Sequence, residues 1–358
     1  MTQTSEADVV VVGGGIVGVA CAYYLARAGR RVTVVEKGLI AGGASGRNGG
    51  HLSPSIDDAW APLARLALDT WPMLAEEIDG PTEYCRGGGL YVVVGTDPTD
   101  PRDLLAYRHE RGFVAELVSP EDCRKRLPGL TSEIKGGVLS PRHGQVNPIL
   151  TARSLAATAE HLGVRFLINT EVTDVLVHAG AVAGVQTPAG RLSAPVVVDA
   201  AGPWAADIAR MAGIDCPVTP RRIQILLSEH IPRRLTDLIW AGNGLYVRQA
   251  RAGQLPLWLG RTCLGVASRE LRSPPFAGQH ATHGAADGRA HARAGGPAHP
   301  AQLVGHDRPL RRRRAAAGGM QHTAWLHACD RLRWQRVRDR ASRWQDRGRP
   351  GGPWLVAS

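Results

Sequence analysis

The run Val9-Val10-Val11-Val12-Gly13-Gly14-Gly15-Ile16-Val17-Gly18 decides the fold of this chain. Four β-branched residues in a row predict a buried strand that leads straight into glycine. Val19–Ala28 then reads as a small-residue helix closed by Gly29, and Arg31–Glu36 as a second strand. The result is β-α-β with Gly-x-Gly-x-x-Gly at the first turn. Gly13 permits the tight turn, Gly15 lets backbone approach a pyrophosphate, and Gly18 lets the helix lie close to the sheet. The anion would sit on the amides of the helix N-terminus, which opens at Ile16. Glu36, at the end of the second strand and followed by Lys37, is placed to accept both hydroxyls of an adenosine ribose, and its charge disfavours a 2′-phosphate. A lone glycine hexamer is often an ordinary turn. The flanking strands, the helix and the terminal acid make nucleotide binding the reading.

Outward from this unit, Gly42-Gly43-Ala44-Ser45-Gly46-Arg47-Asn48-Gly49-Gly50 brackets three polar side chains with glycines. Such a run makes a close-approach loop that brings donors and one fixed positive charge to phosphate oxygens; a flexible solvent loop is the alternative. Further on, Pro195–Asp199 forms an apolar strand that gives way to Ala200-Ala201-Gly202-Pro203-Trp204. Open-sheet ligands bind outside strand carboxyl ends, which makes Gly202 a cofactor-side candidate.

Between these markers the periodicity predicts a helix over Trp60–Glu77 with Leu63, Leu66, Leu68, Trp71 and Leu74 on one apolar face, a strand at Tyr91–Val94, a helix over 101–111 and a strand at Phe113–Val118. A capped helix from Ser119 follows, then strand and turn over Gly136–Val146 and a helix over Ile149–Leu162. Strands at Arg165–Asn169, Glu171–Val177, Val182–Thr187 and Arg191–Ser193 suggest a small meander, and Arg221–Leu227, Leu245–Gln249 and Leu255–Gly260 a returning sheet. On a regular strand Tyr246 and Arg248 share a face, where an arginine could pair with a substrate carboxylate or simply meet solvent. His51 follows the glycine loop and is either a ligand contact or an ordinary hydrogen-bonded histidine.

The loop at 42–50 and the Ala-Gly-Pro-Trp element resemble those of the FAD-dependent oxidoreductases of the D-amino acid oxidase type, the group of glycine oxidase, sarcosine oxidase and the gamma-glutamylputrescine oxidases. The resemblance implies an α/β fold: a Rossmann-like FAD-binding domain (1–79 and 144–216) with an inserted α+β substrate domain (80–143 and 217–270). It implies FAD as cofactor, with Ser45, Arg47 and Asn48 beside the pyrophosphate and ribityl chain, Gly49 and Gly50 near the isoalloxazine, a backbone pair near Val172 at the adenine, and Gly202 against the pyrophosphate. The implied reaction oxidises the C–N bond of a small-molecule amine or amino acid to an imine, with O2 or a quinone-like electron acceptor and with His51, Tyr246 and Arg248 orienting the substrate. A hydroxy-acid or glycerol-phosphate-type dehydrogenase, and an inactive homologue, are the alternatives.

Residues 271–358 do not continue this pattern. They carry 16 Arg, no Lys, no Glu, 5 Asp and 7 of the 13 His, so the whole formal charge of +11 falls on them and residues 1–270 are neutral. The family's Asp-Gly-Leu-Pro-like turn, its Gly-Phe-x-Gly-x-Gly run and its closing strand and helix have no counterpart there. Leu332–Arg338 can be encoded by codons that, entered in an adjacent frame, read Gly-Phe-Gly-Gly-Asn-Gly-Phe, and Arg311–Arg313 likewise conceal Ala-Asp-Gly. A frameshift near residues 260–280 therefore explains the tail. The competing readings are a disordered basic extension and, with arginine clusters near Trp325, Trp334 and Trp344, a nucleic-acid-binding arm; the absence of Lys argues against nucleic acid. Six cysteines without regular spacing suggest free thiols and no metal site. The N-terminus lacks a signal peptide's basic region and no apolar stretch is long enough to span a bilayer, which points to a cytoplasmic protein. Nothing in the sequence sets an oligomeric state.

Overall fold

The computed structural model describes residues 7–53, 60–95, 97–127, 133–232, 235, 237–241, 245–259, 302–307 and 354–356. In chain order the elements are β1 (Val9–Val12), α1 (Ile16–Arg27), β2 (Val32–Val35), β3 (His51–Leu52), α2 (Ala61–Glu77), β4 (Gly89–Val94), α3 (Pro101–Glu110), β5 (Glu116–Val118) and α4 (Pro120–Arg126). Then come β6 (Ile134–Ser140), β7 (Gly144–Gln145), α5 (Pro148–His161), β8 (Arg165–Leu167), β9 (Asp174–His178), β10 (Ala181–Thr187), β11 (Gly190–Ser193), β12 (Val197–Asp199) and α6 (Ala205–Met211). The last are β13 (Arg221–Leu227), β14 (Leu238–Ala241), β15 (Leu245–Val247), β16 (Pro256–Leu259), β17 (Gln302–Asp307) and β18 (Trp354–Val356).

β1 is apolar on both sides because it lies in the middle of a parallel sheet of order β18-β12-β1-β2-β8. Its valines alternate between two cores. Val9 and Val11 pack with Val19, Leu155 and Trp71 beneath α1, α5 and α2. Val10 and Val12 pack with Val175, Val185 and Ile208 beneath the antiparallel β9-β10-β11 sheet and α6. Small residues make the first of these contacts close: Ala20 and Ala22 of α1 share a core with Ala152, Ala156 and Ala159 of α5. Each valine fully buried here contributes about 1.5–3 kcal/mol, so β1 and β2 anchor the whole layer.

The second large sheet has the order β17-β13-β16-β15-β14-β4-β6-β5, with β4 and β14 parallel and the other neighbours antiparallel. One face is apolar: Leu90, Val92, Ile239, Ala241 and Val247 pack with Cys123 of α4. The register sets Tyr91 opposite Trp240 and Trp240 opposite Tyr246, so these aromatic residues form a row across the other face. The fold is the α/β class expected, with a Rossmann-like sheet and a second α+β layer. Among the described residues no helix is long and apolar enough to cross a membrane.

Three expectations need correction. The buried stripe of α2 is Ala61, Ala64, Ala67, Leu68, Trp71 and Leu74, while Leu63 and Leu66 are half-buried; alanines permit closer approach than the leucines that dominated the pattern. β14, a short Leu-Ile-Trp-Ala strand, was not anticipated. Residues 271–358 do contribute strands: β17 pairs with β13 and β18 with β12 through backbone hydrogen bonds, which require no hydrophobic period. Arg311–Arg314, Leu332–Arg338, Trp325, Trp334 and Trp344 lie outside the described residues.

Candidate functional site

The nucleotide end is built by backbone approaching backbone. Gly13 has φ +111°, and a Cβ there would collide with the Ala200 carbonyl oxygen. A Cβ on Gly18 would collide in turn with the Gly13 carbonyl oxygen and lie 3.3 Å from Ala200 Cβ. The β1–α1 turn and the turn after β12 therefore sit directly against each other at the carboxyl edge of the sheet. Asp199, fully buried, accepts the Ala201 amide through Oδ1 at 3.0 Å and bends the chain. Gly202 follows at φ +62°, with no heavy atom of the described residues within 4 Å of its Cβ position. The N-terminus of α1 has no side-chain cap and no acidic residue in its first turn. Its Ile16 amide donates to Ser45 Oγ at 2.9 Å, which ties the loop 42–50 to the positive helix end.

The Glu36 carboxylate accepts the Gly14 amide at 2.6 Å through Oε2 and the Gly38 amide at 2.7 Å through Oε1. Glu36 thus braces the glycine turn from within, and its remaining lone pairs stay available to hydroxyl donors. The Glu36 amide donates to the Leu167 carbonyl and its carbonyl accepts the Thr170 amide, which draws in the loop that carries buried Val172. Lys37 Nζ stands 3.4 Å from the Trp204 ring centroid, a cation–π contact linking the β2 end to the Ala-Gly-Pro-Trp turn.

Asn48 serves the shape of its loop. Its Nδ2 donates to the carbonyls of Ala44 (3.0 Å) and Ser45 (2.8 Å), and its Oδ1 accepts the Gly50 amide at 2.8 Å. Arg47 is exposed. The loop then delivers Gly49 and Gly50 to the aromatic face of the second sheet. A Cβ on Gly49 would collide with the Tyr246 hydroxyl, and one on Gly50 would lie 3.2 Å from an Arg248 guanidinium nitrogen. Arg248, 4% exposed, donates from Nε to the Gly49 carbonyl, and its Nη1 lies 3.4 Å from Gln145 Oε1.

His51 stacks edge-on to Tyr246 at 3.9 Å between centroids and lies 5.8 Å from Trp240. His143 meets the same indole edge-on at 5.5 Å and 90°. His51 Nε2 and both ring nitrogens of His143 are buried without a hydrogen-bond partner among the described residues. Burial holds both imidazoles neutral: it pushes His51 well below the usual histidine range, helped by the Arg248 charge, and His143 down to about 3, helped by Arg108. Burial also raises the Tyr246 phenol and lowers the Arg248 guanidinium. His51, Tyr246 and Arg248, expected to work together, do converge in space. Tyr91 is turned away from them, donating to Asp97 Oδ2 at 3.1 Å. Trp240, His143 and Gln145 were not anticipated; the apolar Leu238–Ala241 run was the only signal for the first of them.

This arrangement fits FAD: an uncapped helix end and two glycine turns for a pyrophosphate, a carboxylate that suits an unphosphorylated ribose, and a glycine loop that continues to a lined face. The family model for FAD dependent oxidoreductases matches residues 8–297, and the chain belongs to that family. FAD is the family's cofactor. Among relatives, the sarcosine oxidase subunit beta of Arthrobacter sp is 31% identical over 71% of this chain and 65% of its own length. The anaerobic glycerol-3-phosphate dehydrogenase subunit A1 of Haloferax volcanii is 34% identical over 60% of this chain and 39% of its own length. This chain thus spans less than two thirds of either relative. Among solved structures, glycine oxidase from Geobacillus kaustophilus superposes with a TM-score of 0.64 at 25% identity, covering 70% of each chain.

Proposed function

We propose that this chain holds an amine or amino acid against FAD and oxidises its C–N bond to an imine. The observation that carries the reading is Arg248: a buried guanidinium beside the loop that ends in Gly49 and Gly50, with a backbone carbonyl and an amide oxygen as its hydrogen-bond partners. Buried charges require partners, and the two-pronged guanidinium matches a carboxylate. In the reaction the substrate carbon gives up a hydrogen with its bonding pair and the nitrogen a proton; bound FAD supplies the two-electron oxidation. The residues only position. Arg248 orients the carboxylate, Tyr246 and Trp240 wall the substrate carbon, and the neutral His51 can hydrogen-bond the substrate nitrogen through Nε2. O2 or a quinone-like acceptor takes the electrons. Residues 1–79 and 144–216 serve the cofactor, and 80–143 and 217–270 the substrate.

Ser45, the α1 amides and Gly202 are assigned to the pyrophosphate, Glu36 to the ribose, and Val172 to the adenine side. Arg47 and Lys37 add positive charge at the rim. The test is anaerobic: FAD-loaded protein is mixed with sarcosine, glycine or proline, and flavin absorbance is followed. Bleaching by amines that Arg248→Met slows by raising half-saturation supports the reading. Bleaching by glycerol 3-phosphate and by no amine would replace it with a C–O dehydrogenase, in which Arg248 holds phosphate.

A further inference from the structure

The second sheet holds another buried arginine. Arg108 of α3 is 8% exposed, and its Nη1 donates to Ser140 Oγ at 2.6 Å and to the Val138 carbonyl at 3.5 Å. Ser140 pairs with Gly89 across β4 and β6, and a Cβ on Gly89 would lie 2.7 Å from the Trp240 ring and collide with the His143 ring. Arg108, Ser140 and His143 therefore gather over the one position of β4 that lacks a side chain. No carboxylate among the described residues makes an ion pair with Arg108, whereas the exposed Arg126 has one, at 2.8 Å on the buried Asp237. His143 adds two buried ring nitrogens that have no hydrogen-bond partner among the described residues. A buried cation and an unpaired imidazole side by side are each unfavourable unless an acceptor arrives between them.

We propose that Arg108 and His143 form a second recognition subsite, which holds a carboxylate at the far end of the substrate and makes this protein selective for amino acids that carry two carboxylates. The proposal rests on the amine-oxidation reading and deepens it. The strand order β15-β14-β4-β6 sets the Arg248 and Ser140 positions three strand spacings apart, roughly 14 Å. That separation is between backbone positions; Arg108 reaches the Ser140 end of the row from α3 and Arg248 stands at the other end, so a ligand that met both guanidinium groups would lie along the row between them. A substrate with a carboxylate at each end would meet both, with Trp240 along its middle. His143 donates one ring N–H to the distal carboxylate, and Arg108 supplies the charge.

The experiment uses the full FAD-loaded chain. Half-saturation for anaerobic bleaching is measured with N-methylglutamate and with sarcosine, for the parent protein and for Arg108→Met and His143→Leu. The expected result is a ratio that favours N-methylglutamate in the parent and falls at least 10-fold in each variant, with the limiting bleaching rate changing far less than half-saturation. An unchanged ratio in folded variants overturns the subsite. Should the variants not fold, the parent alone decides: glutarate should perturb the flavin spectrum at concentrations at least 10-fold lower than butyrate, and equal affinities overturn the proposal. Bleaching by sarcosine with no preference for the dicarboxylate defeats this subsite and leaves the amine-oxidation reading standing; no bleaching by any amine defeats both.

Discussion

Replacing Glu36 by Gln should weaken the protein before any cofactor is added. Glu36 makes two short charge-assisted bonds, to the Gly14 and Gly38 amides at 2.6 and 2.7 Å. Glutamine keeps one acceptor oxygen, now neutral, and turns an NH2 group toward the other amide. Hydrogen bonds to charged groups contribute about 1.5–3 kcal/mol and neutral ones about 0.5–1.5. One bond is therefore weakened and the other lost, and because the residue is half-buried the low end applies, about 2 kcal/mol. At about 2–4 °C per kcal/mol for a chain of this size, flavin-free Glu36→Gln should melt about 4–8 °C below the parent. FAD affinity should fall as well, by about 10-fold for each further 1.4 kcal/mol lost at the ribose. Differential scanning fluorimetry of the flavin-free and FAD-loaded forms separates the two effects. If the flavin-free melting temperature does not move while FAD affinity drops, Glu36 acts only on the ribose and the bracing role assigned to it is wrong.

Gly18→Ala would set a methyl group against backbone that cannot swing aside, so about 1–3 kcal/mol of overpacking and a reduced flavin-to-protein absorbance ratio are expected; a fully flavinated variant of parental stability would contradict the contact with Gly13. His51 and His143 are held neutral in the fold, with His143 down near 3 against an ordinary value of 6.5, so the unfolded chain binds more protons than the folded one below that ordinary value. Stability is then full above about pH 6.5 and is lost as pH falls toward 3, by up to about 1.4 kcal/mol per pH unit for each histidine. His143→Leu should flatten the acid limb of the melting temperature measured from pH 7 to 5, and an unaltered limb would show that His143 is not the group responsible. Translating the gene in the frame adjacent to residues 271–358 should return an Asp-Gly turn and a Gly-Phe-x-Gly run; stop codons throughout that frame would end the frameshift explanation.

Local constraints explain why some of this was legible in the sequence. Most of the β1–α1–β2 unit is specified by residues close in the chain: Gly18 answers the Gly13 carbonyl, and Gly14 and Gly15 answer the Glu36 and Ser45 side chains, while Gly13 alone answers the distant Ala200 backbone. Glu36 was readable for its place at the end of β2, though not for its hold on Gly14 and Gly38, because a carboxylate that serves a ligand and one that serves the backbone leave the same letter. Asn48 is a similar case. The sequence offers it as a donor to phosphate, and the fold directs its amide to Ala44 and Ser45. The face of the second sheet was much less legible. Trp240 joins Tyr91 and His143 only because β14 inserts in parallel beside β4, nearly 150 residues earlier in the chain, and no periodicity within either segment encodes that neighbour.

The tail presents the reverse problem, since its sequence constrains an alternative reading more tightly than its composition suggests. Tryptophan has the single codon TGG. At Trp334 the next frame must therefore read GG followed by the first base of the Gln335 codon, which is C, and GGC is glycine. In the same frame Ala328–Val337 can read Arg-Ala-Thr-Gly-Phe-Gly-Gly-Asn-Gly-Phe, and Arg311–Gly318 can read Ala-Asp-Gly-Val-Pro-Leu-Leu-Gly, with one offset serving both segments. A basic arm selected for phosphate would have no reason to place its tryptophan where a flavin-side glycine is required one base away. On the frameshift explanation the +11 charge is a property of codons read out of register: shifted GC-rich triplets give arginine freely and lysine hardly at all, in line with 16 Arg and no Lys after residue 270. On the same explanation the neutral residues 1–270 and the site they assemble belong to one selected polypeptide; the family match itself runs on to residue 297, so the change of frame would have to fall where the tail's charge builds up, and the adjacent-frame translation is what decides it.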